Sequence, residues 1–140
     1  MDEIKATMSL CARRLGIALA IIICGVSLRL GGYEIGLPYF LVKYGGSTLW
    51  GAMVFFLIAM FLPRRPLGRV ALMALVTAAL IEFSRLYHTP WLDEFRLTLA
   101  GALLLGRIFS WWSILAYGLG IALAGLFETR RLRRSSQPSD

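Results

Sequence analysis

The feature that most constrains this chain is a succession of apolar runs, separated by arginine, proline and glycine, that fills most of residues 15–127. A chain of 140 residues can bury one face of each of its helices in a soluble core, not helices that are apolar all round. A bilayer removes that difficulty, and there helices satisfy every backbone group internally. Mean hydropathy of +0.69, with 58% hydrophobic and 16% charged residues, points the same way. The expected fold is therefore an all-α membrane protein: four transmembrane helices with an additional outer-interface or re-entrant helix.

The punctuation sets the boundaries. Crossings are predicted at about 15–30, 48–62, 67–87 and 112–127 in a single domain, 1–128, followed by a tail, 129–140, that is basic and then polar. Pro63, Arg64, Arg65 and Pro66 close the second run, and His88, Thr89 and Pro90 end the third, because a residue preceding proline is pushed out of the helical region. The apolar stretch from Phe95 to Phe127 would be about 50 Å long as one helix, too long for one crossing. Arg107 and the aromatic pair Trp111 and Trp112 divide it, as a membrane interface does. Asp93 to Leu105 is accordingly read as the interfacial or re-entrant element. Arg13 and Arg14 precede the first run, but Arg29 to Tyr33 follow it without a small-x-small cleavage pattern, so it is expected to be a retained helix.

Charge placement orients the bundle. Lys5, Arg13, Arg14, Arg64, Arg65, Arg69 and Arg130, Arg131, Arg133 and Arg134 fall on one side, whereas Arg29, Lys43, Arg85, Arg96 and Arg107 fall on the other. The side with the larger share is expected to be cytoplasmic, which puts both termini there and makes the bacterial inner membrane the expected location. The formal charge of +7 is thus a topology signal. No aromatic residues are interleaved with the basic ones as a stacking platform, so nucleic acid is not an expected partner. Cys11 and Cys24 have neither disulfide nor metal-ligand spacing and read as packing residues. Gly118, Gly120, Ala122, Ala124 and Gly125 read as a close-packing surface of the fourth crossing.

One acid stands inside the third crossing. Thirteen residues beyond Arg69, Glu82 lies about 20 Å into a core of about 30 Å. A carboxylate at that depth must be paired, protonated or exposed to a wet cavity. Arg85, three residues on, is the simplest partner. A structural ion pair and an outward-opening polar site are equally supported. For the second, Arg29, Tyr44, His88, Arg96, Thr98 and Arg107 would join Glu82 and Arg85 in a basic pocket rimmed by Trp50, Trp91, Trp111 and Trp112. Guanidinium groups there would bind phosphate in a bidentate way, as an anionic lipid requires. The alternative is that each arginine anchors its own helix end. Catalytic chemistry is the weaker expectation. His88 has no nucleophile fixed near it by motif, Asp93 and Glu94 point about 100° apart on a helix, and no cofactor or metal is expected.

Several stretches carry a family resemblance: Gly46 to Trp50, Ile81 to His88, Leu92 to Thr98, Leu103 to Gly106 and Phe109 to Tyr117. In these the chain resembles the domain of unknown function 2809 group of bacterial integral membrane proteins, which is similar in plan to the VanZ-like family associated with glycopeptide resistance. The resemblance covers roughly residues 29–125 and implies a fold but no activity. It also implies aspartate at the positions of Ser47 and Ser113, which begin two crossings, and glutamine at that of Arg85. Relative to that pattern two outer-end acids are lost and one base is gained, so an ion or proton function served by those aspartates would be absent here.

The leading functional expectation is a non-enzymatic membrane protein whose outward polar site, centred on Glu82, Arg85 and Arg96 with His88, Arg29 and Thr98 nearby, binds an anionic envelope lipid or another anion. An accessory or scaffold subunit of a larger membrane complex comes second. A small transporter or proton path comes third, because proton relays ordinarily need several buried acids.

Overall fold

A computed structural model describes residues 1–106 and 108–137. Among these are helices α1 (Asp2–Gly31), α2 (Tyr39–Phe61), α3 (Leu67–Ser84), α4 (Pro90–Leu97), α5 (Leu99–Leu104) and α6 (Trp111–Ser135). Four of them, α1, α2, α3 and α6, are long and apolar enough to cross a membrane. Arg107, the residue expected to divide the last apolar stretch, lies outside the described residues, as does the end of the tail, 138–140.

Helix α2 is the hub. It packs on α1, α3 and α6, whereas α1 packs chiefly on α2. Glycine makes the α2–α6 seam possible. A Cβ at Gly51 would run into the backbone of Tyr117, and one at Gly120 into the Thr48 carbonyl. Backbones this close gain dispersion contacts, the main attraction between helices where lipid replaces water. Of the small residues expected to pack, Gly120 and Ala124 are buried and Ala122 faces outward. The core beside this seam is built on Phe55 and Phe56, whose rings meet edge to face at 5.4 Å, with Ala18, Val70, Ala74 and Ile121 around them.

The helices alternate in direction. Near its start α1 meets the end of α2, where the Cys11 thiol contacts the Met60 carbonyl at 3.3 Å, and the end of α6, where Arg14 meets Glu128 at 2.8 Å. This is termed the terminal end. The α1–α2 turn, the α4–α5 hairpin and the start of α6 follow at the opposite end.

Two helices begin earlier than the apolar runs that mark them. Helix α1 starts at Asp2; its 30 residues make about 45 Å, so its first turns project beyond an apolar layer of about 30 Å. Helix α2 starts at Tyr39 because Pro38, at φ −64° and ψ 146°, forms its extended N-cap and an isolated Lys43 does not interrupt a helix. At the other end of the chain α6 continues to Ser135, so Arg130 to Arg134 belong to it. The element expected over Asp93 to Leu105 is two helices. Pro90 opens α4, where its missing N–H is no loss. Thr98, at φ −71° and ψ 157°, breaks the run and caps α5 by accepting the Gly101 N–H at 3.1 Å.

Candidate functional site

The site begins with a stripe on α3. Val70, Ala74, Ala78 and Glu82 recur every four residues and are all fully buried, so the acid inherits an orientation into the bundle from the small residues before it. Buried carboxylates need several donors, and Glu82 has them. Arg85 Nη1 lies 2.8 Å from Oε2, the Tyr117 hydroxyl donates to Oε2 at 2.8 Å, and the Ser110 N–H donates to Oε1 at 2.8 Å. Three elements thus meet at one carboxylate: α3, the α5–α6 linker and α6.

Arg85 ties the same elements a second time. Its Nε donates to the Leu105 carbonyl at 2.5 Å, Nη1 to the Ile108 carbonyl at 3.1 Å, and Nη2 to the Tyr117 hydroxyl at 2.8 Å. Gly106 has φ +68°, and a Cβ there would stand 2.5 Å from Nη2 of Arg85. The linker therefore needs glycine both for its backbone and for the guanidinium lying against it.

Arg85 also forms part of the wall of a cavity of about 400 Å³ between α1, α2, α5 and the start of α6. Arg29 and Lys43 line it too, and among the described residues neither is ion-paired. Lys43 Nζ lies over the Tyr39 and Tyr44 rings at 5.7 and 5.3 Å, a cation–π arrangement that leaves its positive charge uncompensated. Trp50 closes the wall, with its ring 5.0 Å from that of Tyr117. Deeper in, the lining turns apolar at Ile21, Gly25, Leu49 and Met53.

The expected site residues divide into two groups. Glu82 and Arg85 are the ion pair, and Arg29, Ser47 and Ser113 line the cavity beside Arg85; the Ser47 hydroxyl donates to the Lys43 carbonyl at 3.0 Å and Ser113 is 1% exposed. Arg96, His88 and Thr98 stand elsewhere. Arg96 is buried behind the end of α3, donating to the Ser84 and Tyr87 carbonyls at 2.5 and 2.9 Å, with Asp93 3.2 Å away. It ties α4 to the end of α3, where the Ser84 carbonyl also accepts the Tyr87 N–H at 3.1 Å. His88 is exposed beside Asp93 at 3.2 Å, and Thr98 is a cap. Trp91, Trp111 and Trp112 are exposed at this end of the bundle, whereas Trp50 faces the cavity.

Sequence reasoning missed Tyr117 and Lys43 at this site, and a second polar cluster entirely. Arg14, 1% exposed, pairs with fully buried Glu128 at 2.8 Å and donates to the Ala59 carbonyl at 2.6 Å; Arg131 joins Glu128 at 2.9 Å. A signal was present: Gly120, Ala124 and Glu128 repeat the four-residue spacing that leads to Glu82, and Arg14 stands four residues before buried Ala18.

A helical bundle of membrane-spanning type, with a compensated acid beside a basic cavity, is the class that fold and site define. The profile of the family described as protein of unknown function (DUF2809) matches residues 36–121, and the chain belongs to that family. The match takes in Lys43, Trp50, Glu82, Arg85 and Tyr117 and stops short of Arg14, Arg29 and Glu128. No solved structure matches the chain.

Proposed function

We propose that this chain is a small non-enzymatic protein of a bacterial inner membrane, VanZ-like in plan, that binds an anionic group in the cavity bordered by Arg29, Lys43 and Arg85. The terminal end faces the cytoplasm in this reading, on the strength of its larger share of basic residues. The cavity then opens toward the outer side.

The observation that carries the reading is an imbalance of charge. Among the described residues three cationic side chains line one cavity, and Glu82 compensates only Arg85. Arg29 and Lys43 supply the ligand contacts. Arg85 contributes a fixed positive wall, since four of its five N–H groups are already taken by Leu105, Glu82, Ile108 and Tyr117. Glu82 is the counter-ion that holds Arg85 in place. An acid already receiving three donors is poorly placed to carry protons, which ranks transport below anion binding. Arg96 supports the site from behind α3 rather than contacting the ligand.

Native mass spectrometry from nanodiscs of mixed zwitterionic and anionic phospholipid tests the reading. Wild-type protein retains anionic lipid in preference to zwitterionic lipid, and the Arg29→Gln, Lys43→Gln variant loses that preference. Equal retention of the two lipids by wild type overturns it.

A further inference from the structure

The exposed lining of the cavity is polar at Arg29, Tyr33 and Tyr39, which lie at or beside the α1–α2 turn, and apolar between α1 and α5. There Ile22, Leu104 and Ile108 are 37%, 51% and 69% exposed, so this side is bordered by surface that belongs against hydrocarbon rather than water. Among the described residues α1 packs broadly only on α2, and the α4–α5 hairpin chiefly within itself. Among the described residues no broad helix–helix seam joins α1 to α5.

Depth adds a second constraint. From Gly31 back to Ile21 is ten residues of α1, about 15 Å. Half of a hydrocarbon core of about 30 Å is the same depth, so the cavity spans about one leaflet. Its charges lie at the outer level, with Arg29 in the last turn of α1 and Lys43 in the first turns of α2, and its inner part is lined by Ile21, Gly25, Leu49 and Met53.

We infer that the cavity is a lateral lipid site: a phosphate-bearing lipid of the adjoining leaflet enters sideways between α1 and α5, sets its phosphate between Arg29 and Lys43, and lays one hydrocarbon chain along Ile21, Leu49 and Met53. The inference rests on the anion reading above and adds that the tail is part of what is recognised. Because the chain leaves hydrocarbon rather than water, its contribution is close packing against the cavity wall, and the paired cations select the headgroup. A soluble phosphate ester shares the headgroup chemistry and lacks the tail.

Gly46 provides a blocking variant. It lines the cavity, and a Cβ built on it meets nothing within 4 Å, so the side chain of Gly46→Phe starts into open space beside the tail path. The experiment compares phosphatidic acid with glycerol phosphate on wild type, Gly46→Phe and the Arg29→Gln, Lys43→Gln variant. Lipid retention is read by native mass spectrometry from phosphatidylcholine nanodiscs, competition by added glycerol phosphate, and folding by thermal unfolding. The expected result is that wild type retains phosphatidic acid, that excess glycerol phosphate does not displace it, and that Gly46→Phe loses it while unfolding at the wild-type temperature. If glycerol phosphate competes fully and Gly46→Phe binds as wild type does, the anion reading stands and the lateral lipid site falls. If wild type retains neither ligand above phosphatidylcholine, both fall. Should Gly46→Phe unfold early, Ala100→Leu, on the opposite exposed lip of the cavity, takes its place under the same criteria.

Discussion

The two ends of this bundle solve one problem in different ways. Glu82 and Glu128 each end a stripe of small residues spaced four apart, each is fully buried, and each pairs with arginine at 2.8 Å. Helix α6 serves both, through Tyr117 near one end and Glu128 about 16 Å further along the same buried face. At the terminal end the Arg14 side chain is 2% exposed and no lining residue of the basic cavity belongs to the cluster. At the opposite end the Arg85 side chain is 12% exposed and lines that cavity. A sealed pair holds helices together. A pair with one edge on a cavity can also shape the field a ligand meets, so the proposed function puts the ligand at the Glu82 end and leaves the Glu128 end as the clamp.

The most forceful way to break this comparison is to remove one partner of the sealed pair. Glu128→Ala leaves Arg14 buried with the Ala59 carbonyl and without its carboxylate, and should cost about 3–5 kcal/mol of stability. Thermal or denaturant unfolding in mild detergent measures the loss. The double variant Arg14→Met, Glu128→Leu should recover most of it, because two apolar side chains leave no fully buried charge uncompensated. Arg131, whose side chain is 21% exposed, can turn to solvent. Neither variant should alter the lipid preference once folded. A changed preference would mean that the terminal cluster is coupled to the cavity, and the division of labour would be wrong.

Glu82→Gln sharpens the contrast at the other end. The amide still accepts from Tyr117 or Ser110, and Arg85 keeps the Leu105 and Ile108 carbonyls, so the expected loss is smaller, about 1–3 kcal/mol. Removing the carboxylate leaves Arg85 uncompensated at the cavity wall, so anionic lipid should be retained more strongly than by wild type. Weaker retention would show that Glu82 does more than compensate Arg85.

The same contrast explains what was legible in the sequence. Four membrane-type helices follow from the length and apolarity of the runs, and Glu82 with Arg85 follows from an acid that no apolar stretch tolerates alone. Glu128 was hidden because it stands just past the last apolar residues, where an acid among arginines looks solvated. Only its four-residue spacing from Ala124 marks it as buried. Tyr117 lies 35 residues from Glu82 and meets it through α3–α6 packing, which no local spacing encodes. Arg96 stands apart from the cavity for a related reason. The single helix expected over Asp93 to Leu105 breaks at Thr98, and Arg96 lies on the part that turns back to α3. Side chain to backbone bonds of this kind depend on where a helix ends, the feature that sequence patterns fix least closely.

That break is also where the two ends differ in their capacity to move. The terminal end is held by long helices alone, whereas the cavity wall includes α5, a helix of 6 residues too short to persist without its cap and its packing. Thr98 accepts the Gly101 N–H at 3.1 Å and donates to the Phe95 carbonyl at 2.6 Å, so one hydroxyl joins α4 to α5. Thr98→Ala should cost about 1 kcal/mol, confined to this joint, and Thr98→Asn should restore the cap. Hydrogen exchange is the appropriate measurement: amides from Ala100 to Leu104 should exchange faster in the alanine variant, those around Arg14 and Glu128 should not change, and global unfolding should hardly shift. Unchanged exchange in α5 would mean that the helix is fixed by Gly101 packed against the Phe95 carbonyl, where a Cβ has no room. The cavity wall would then be as rigid as the clamp at the other end, and lipid access would depend on movement of α1.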